Sequence, residues 1–155
     1  MLRILFLCTG NSCRSQMAEG WARGLKAGLI EPYSAGIETR GLHPDAVRVM
    51  AEVGINISGQ RSKLVSELRG VDFDFVVTLS DRALKACPVS WKKARAIHVG
   101  LEYPPRLAAS ALTEEERLTP YRQAWDAIHS LVESLPDSLC QHSTAGRSNG
   151  VERLP

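Results

Sequence analysis

Residues Leu2 to Leu7 form a nearly continuous apolar run, broken only by Arg3, that stops abruptly at Cys8-Thr9-Gly10-Asn11. Such a short, unbroken run predicts a strand covered on both faces, as in a parallel sheet with helices on each side. It is cut off well short of a signal-peptide core or a membrane span, so a cytoplasmic protein is expected. From Ser15 onward Met17, Trp21 and Leu25 recur at i, i+4, i+8, with Ala18 and Ala22 beside them, which predicts an amphipathic helix to about Gly28. The opening unit is therefore strand, loop, helix.

Further strands and helices alternate after it. Glu31 to Ile37 reads as a second strand, and Pro44 suits the first turn of a helix with Ala46, Val49, Met50 and Val53 on one face and Gly54 at its end. Leu64, Val65 and Leu68 suggest a short helix before Gly70, and Phe73 to Leu79 and Ala94 to Val99 read as the third and fourth strands. Pro104-Pro105 predicts an irregular loop. Thr113 with Glu116 makes a capping box ahead of a long helix carrying Tyr121, Trp125, Ile128, Val132 and Leu135, which Pro120 is expected to bend or restart. The alternation predicts an α/β layer fold with a mostly parallel sheet, one domain over residues 1–135. From Pro136 the composition turns to Ser, Asn, Gly, Gln and Thr, so 136–155 is expected to be a flexible tail.

At 155 residues the chain can bury roughly two-thirds of the surface it exposes when unfolded and needs no cross-links to hold a core. Nineteen basic residues against seventeen acidic ones give a net charge of +2, too little to imply nucleic acid or an anionic membrane as partner. The four cysteines, Cys8, Cys13, Cys87 and Cys140, are too few for a disulfide scaffold and lack the paired Cys-x-x-Cys spacing of a zinc site. Free thiols in a reducing compartment are expected, and a monomer. His43, His98, His129 and His142 are scattered and read as surface or packing residues.

The loop after the first strand carries the chemistry. Cys8 and Arg14 enclose Thr9, Gly10, Asn11, Ser12 and Cys13, a Cys-x5-Arg spacing that is weak by itself and gains force from its position. At the carboxyl end of a buried strand and before a helix N-terminus, the backbone N–H groups of these residues can wrap a tetrahedral oxyanion. Arg14 adds a planar fork for two of its oxygens. The same amides, helix dipole and guanidinium stabilise a thiolate at Cys8, with a further hydrogen bond from Ser15, which makes Cys8 a nucleophile beneath a bound anion. Cys13 contributes its amide, and its thiol reads as a bystander or a redox-sensitive group.

Cys8-Thr9-Gly10-Asn11-Ser12-Cys13-Arg14-Ser15-Gln16-Met17-Ala18-Glu19-Gly20 resembles the low-molecular-weight protein tyrosine phosphatase superfamily, and more closely its arsenate reductase branch. Tyr33-Ser34-Ala35-Gly36-Ile37, Val76-Val77-Thr78-Leu79, Cys87-Pro88 and His98-Val99-Gly100 extend the resemblance through most of residues 1 to about 135. It implies three layers, with a four-stranded parallel sheet flanked by helices. It also implies Cys8 as the attacking thiolate, Arg14 and the loop amides as oxyanion ligands, and Asn11 and Ser15 as organisers of the loop.

The chain departs from that pattern at three places. Where thioredoxin-coupled reductases carry a second cysteine after the third strand, this chain has Ser80, and the third cysteine corresponds to Cys87. A hydroxyl cannot form a disulfide, so the internal relay lacks its middle step. Either Cys87 resolves the Cys8 adduct after rearrangement of 81–86, or an external thiol does so (thioredoxin, glutathione with glutaredoxin, or mycothiol), with Cys140 a weaker internal candidate. Where the resemblance implies a general-acid aspartate, the chain has Tyr103, leaving that phenol or the neighbouring Glu102 as the proton donor. Where some relatives hold potassium through residues matching Asn11, Glu19, Ser34 and an aspartate, Lys63 takes the aspartate's place, so no metal and no bound cofactor are expected. The leading expectation is an arsenate reductase-like enzyme acting on arsenate or phosphate-like oxyanions. The alternatives are a phosphomonoester phosphatase and a low-activity oxyanion-binding or redox-sensing protein.

Overall fold

The computed structural model describes residues 1–86, 93–141 and 152–153. Strand β1 (Leu2–Cys8) lies between β2 (Ile30–Gly36) and β3 (Phe75–Thr78), with β4 (Arg95–His98) beyond β3, all paired in parallel. This is the expected four-stranded parallel sheet. The segment Glu152–Arg153 adds a short fifth parallel strand, β5, opposite Ile97 and His98.

The period-two alternation of β1 sends Ile4, Phe6 and Cys8 to one face and Leu5 and Leu7 to the other, and all five are buried. The first face is covered by α1 (Arg14–Leu25), α2 (Pro44–Glu52) and α5 (Glu114–Ser134), through Met17, Trp21, Met50, Tyr121, Ile128 and Val132. The second is covered by a single 3-10 turn at Val65–Leu68 and by α3 (Asp81–Ala86), through Val65, Leu68 and Ala83. Because β1 is central and the chain leaves it first to β2 and later to β3, a crevice opens beyond the carboxyl ends of β1 and β3.

Several expectations give way to what the fold dictates. Pro104-Pro105 does not make an irregular loop: both prolines sit in the first turn of α4 (Pro104–Ala108), where a missing N–H costs nothing. Pro120 does not restart the long helix: α5 runs through it for 21 residues. An interior proline costs about 3 kcal/mol, whereas burying Leu118 and Tyr121 on either side returns roughly 1.5–3 kcal/mol each. The packed core continues past residue 135. Helix α6 (Asp137–Gln141) follows, Leu139 is fully buried in the main core, and its carbonyl accepts from Arg95 Nη1 at 3.2 Å. Among the described residues, no helix is long and apolar enough to cross a membrane.

Candidate active site

Beyond β1 the chain turns away from the sheet, and every carbonyl from Cys8 to Cys13 finds a partner outside the turn. Cys8 O accepts from Ile37 N (3.3 Å), Thr9 O from Glu38 N (3.0 Å), Gly10 O from Arg40 N (3.0 Å), Ser12 O from His43 N (3.0 Å) and Cys13 O from Met17 N (2.9 Å). Asn11 O accepts from Gln16 Nε2 at 3.1 Å. Among the described residues, no acceptor takes up the N–H groups of Thr9 to Cys13. With the carbonyls turned outward, these donors face the concave side at the N-terminus of α1, the arrangement that binds a tetrahedral anion. The segment that ties the carbonyls down must pass very close. A Cβ on Gly36 would lie 2.8 Å from Asn11 N and 2.9 Å from Thr9 O, so only glycine fits there.

Asn11 takes the left-handed conformation (φ 46°), which asparagine tolerates better than most residues. Its side chain is fully used. Oδ1 accepts from Lys63 N (2.9 Å) and Gln16 Nε2 (3.0 Å), while Nδ2 donates to Ser15 Oγ (2.8 Å). Ser15 Oγ lies 2.8 Å from Cys8 Sγ. Ser15 Oγ, which accepts from Asn11 Nδ2, is thus within hydrogen-bond reach of the sulfur and can donate its proton to a thiolate there. Cys8, Asn11, Ser15 and Gln16 are all buried.

Arg14 is also buried, and its Nη1 donates to Leu101 O at 3.0 Å, with Leu79 O at 3.5 Å. That leaves the Nε–Nη2 edge as a fork for two oxygens. The Tyr103 ring lies between two guanidiniums, 5.1 Å from Arg14 Cζ and 5.4 Å from Arg40 Cζ, and its hydroxyl accepts from Arg40 Nη1 at 2.9 Å. Glu102 is exposed and faces Arg106 at 3.5 Å. On the other side Thr9 Oγ1 and Ser80 Oγ lie 3.0 Å apart, and Ser80 Oγ accepts from Ala83 N at 3.2 Å, capping α3. These groups enclose a cleft of about 600 Å³ walled by Thr9, Arg14, Arg40, Ser80, Arg82 and Tyr103, among others.

A buried thiol under an anion cradle, an arginine fork and a parallel sheet can be compared with known proteins. The family model of low molecular weight phosphotyrosine protein phosphatase matches residues 3–145. This chain belongs to that family. The arsenate reductase of Bacillus subtilis (strain 168) is 42% identical over 135 residues, which cover 87% of this chain and 95% of that protein. Among solved structures, an arsenate reductase in the phosphate binding state matches with a TM-score of 0.68 at 34% identity, covering 87% of this chain and 99% of that one. An arsenate reductase in the oxidized state matches with a TM-score of 0.74 at 33% identity, covering 90% and 99%.

Within this phosphatase-family site the structure brings together Cys8, the loop residues 9–13, Arg14, Ser15, Ser80, Glu102 and Tyr103. Cys87 lies outside the described residues, and Cys140 stands on α6, away from the loop in sequence. Cys13 is buried, and that burial pushes its thiol up to about 12, which keeps it protonated at neutral pH. Glu19 is buried against α1's own Arg23 (2.5 Å) and Lys63 Nζ (3.8 Å), and it also accepts from Ser34 Oγ. The carboxylate thus already faces two cations, and burial lowers the Lys63 pKa despite Glu19. This arrangement does not fit an added alkali ion. Among the described residues no cluster of three His, Cys, Asp or Glu side chains converges on a metal position.

Of the histidines, His43 caps α2 by accepting from Asp45 N at 3.1 Å, and His98 is buried between Thr78 (2.8 Å) and Asp81 (3.2 Å). Sequence reasoning missed Gly36 as the residue that admits the loop, Gln16 as its brace and Arg40 as the partner of Tyr103. Gln16 stood inside the resembling stretch and Gly36 at a strand end, but Arg40 carried no local signal at all.

Proposed function

We propose that this chain is a thiol-dependent arsenate reductase in which Cys8 is the nucleophile. What carries the reading is the Cys8 loop, whose carbonyls all point outward around a buried sulfur held by Ser15, with the free edge of Arg14 beside it. Arsenate is held by the amides of residues 9–13 and by Arg14. The Cys8 thiolate attacks arsenic in line with a departing hydroxide, which leaves as water on taking a proton. Tyr103, stacked on Arg14, and Glu102, on the same wall, are the candidate donors, and Tyr103 is the better placed. The adduct joins Cys8 Sγ to As(V). A second thiolate then attacks Sγ, the S–As bond breaks with its electron pair going to arsenic, and arsenite leaves as As(III).

Ser80 holds the position beside Thr9 and cannot supply that second thiol, so the reductant comes from outside the chain, with Cys87 as the internal alternative. The reaction uses no metal, because Lys63 already supplies a cation at Glu19. A monomer in a reducing cytoplasm suits the chemistry. The test is arsenite release with excess small thiol, with and without Cys8→Ser. Loss of arsenite release on substitution is expected, and turnover that survives it would overturn the proposal. Hydrolysis of an aryl phosphate without arsenite release would instead assign the loop to phosphatase chemistry, which shares every group up to the second thiol.

A further inference from the structure

A phenol is ordinarily a much weaker acid than a carboxylic acid, so the charge left on its oxygen as a proton departs needs a fixed partner. At Tyr103 that partner is Arg40. Arg40 Nη1 donates to Tyr103 Oη at 2.9 Å, and its guanidinium carbon lies 5.4 Å from the ring centroid. The other end of Arg40 belongs to the Cys8 loop. Its backbone N–H donates to Gly10 O at 3.0 Å, and its stem packs so closely there that a Cβ on Gly10 would lie 2.7 Å from Arg40 Cδ. Glu38 holds the plane of the fork, since one of its oxygens accepts from both Arg40 Nη2 (2.9 Å) and Arg82 Nη1 (2.8 Å), and Glu38 N donates in turn to Thr9 O. A single side chain therefore joins the anion cradle to the phenol across the cleft. Glu102, the other candidate donor, has no such tie: it meets Arg106 at 3.5 Å, and both are largely exposed.

We propose that Arg40 is a positioning residue for proton transfer: it fixes the Tyr103 hydroxyl relative to the Cys8 loop and meets the negative charge that develops on it. The inference rests on the reading of Tyr103 as proton donor in arsenate reduction and names the residue on which that role depends. Because Arg40 donates to the phenolic oxygen, the phenol's own proton is available to the oxygen leaving arsenic. As the As–O bond breaks, its electron pair goes with the departing oxygen, which takes the phenol's proton and leaves as water. The O–H electron pair stays on Tyr103 as phenolate beside the guanidinium, and a proton from solvent restores the phenol before the next turnover.

The experiment is a double-mutant cycle on the full chain with excess small thiol. Wild type, Arg40→Met, Tyr103→Phe and the double variant are compared by kcat/KM for arsenate, measured as arsenite release. Arg40→Met should lower kcat/KM about fivefold when Tyr103 is present and less than about twofold in Tyr103→Phe, because the arginine acts through the hydroxyl. Arg40→Lys, which keeps a charged donor, should recover part of the loss, and only where the hydroxyl remains. Phosphate protection of Cys8 against iodoacetamide should match wild type in Arg40→Met, since the loop amides and Arg14 are unchanged. An equal loss with and without the Tyr103 hydroxyl overturns the inference. So does weakened phosphate protection that accounts for the whole loss, which would place Arg40 among the anion ligands. Failure of the parent reading is distinct. Tyr103→Phe without effect removes the donor and the inference with it. Absence of arsenite from wild type removes the reductase, and the same cycle on phenyl phosphate then decides the coupling; no turnover of either substrate ends both.

Discussion

The two walls of the cleft are built on opposite plans. The Cys8 loop is buried, each of its carbonyls has a partner, and the side chain of its left-handed residue is held at both Oδ1 and Nδ2. The facing wall carries Arg40, Arg82 and Arg106, long side chains that are mostly exposed and paired with Glu38 and Glu102. A preorganised cradle stabilises charge as it develops without rearranging, while an exposed shelf of arginines can release one partner and accept another at little cost. The contrast is between a fixed cradle and an adjustable wall.

The contrast breaks most sharply at Arg14. Arg14→Lys, which keeps the charge and removes the fork, should lower kcat/KM for arsenate by roughly 10²- to 10³-fold, measured by arsenite release; a loss under tenfold would mean that the loop amides alone suffice. Gly36→Ala should act on the cradle without touching a reacting atom, because its Cβ would press on the backbone at Asn11 and Thr9. A loss of about 1–3 kcal/mol is expected in denaturant melts, together with loss of phosphate protection of Cys8 against iodoacetamide near pH 6. On the facing wall, Tyr103→Phe should reduce kcat about tenfold and Glu102→Gln much less; equal effects would remove the phenol from the proton-transfer role.

Smaller effects test the supports. Burial holds the His43 pKa below its ordinary value of 6.5, so the unfolded chain takes up that proton first. Stability should therefore fall as pH drops below about 6.5 and level off below the depressed native value. His43→Asn, a cap that does not titrate, should flatten Tm between pH 7 and 5. Last, potassium should change the rate less than about twofold, since Lys63 already faces Glu19; strong activation would refute that role.

Much of the cradle was legible because its determinants are local. An apolar run, a cysteine at its end and an arginine six positions on lie within one strand–loop–helix unit, and their positions follow from chain geometry. The supports were not legible, because each joins residues far apart in sequence. Arg40 meets Tyr103 across 63 residues, and Lys63 N meets Asn11 across 52. Gly36 was visible as a strand end, but its necessity depends on a loop crossing it that no local pattern records. Pro104-Pro105 misled for the converse reason: a pair that reads locally as a breaker can also supply the first turn of a helix.

The outward carbonyls of the loop have a consequence for the chain's own synthesis. Their partners at Ile37, Glu38, Arg40 and His43, and the Lys63 amide that holds Asn11, all emerge from the ribosome after the cysteine itself. Until those residues are made and in place, Cys8 has no cradle around it. The cradle therefore closes around the sulfur only after more than a third of the chain has been made.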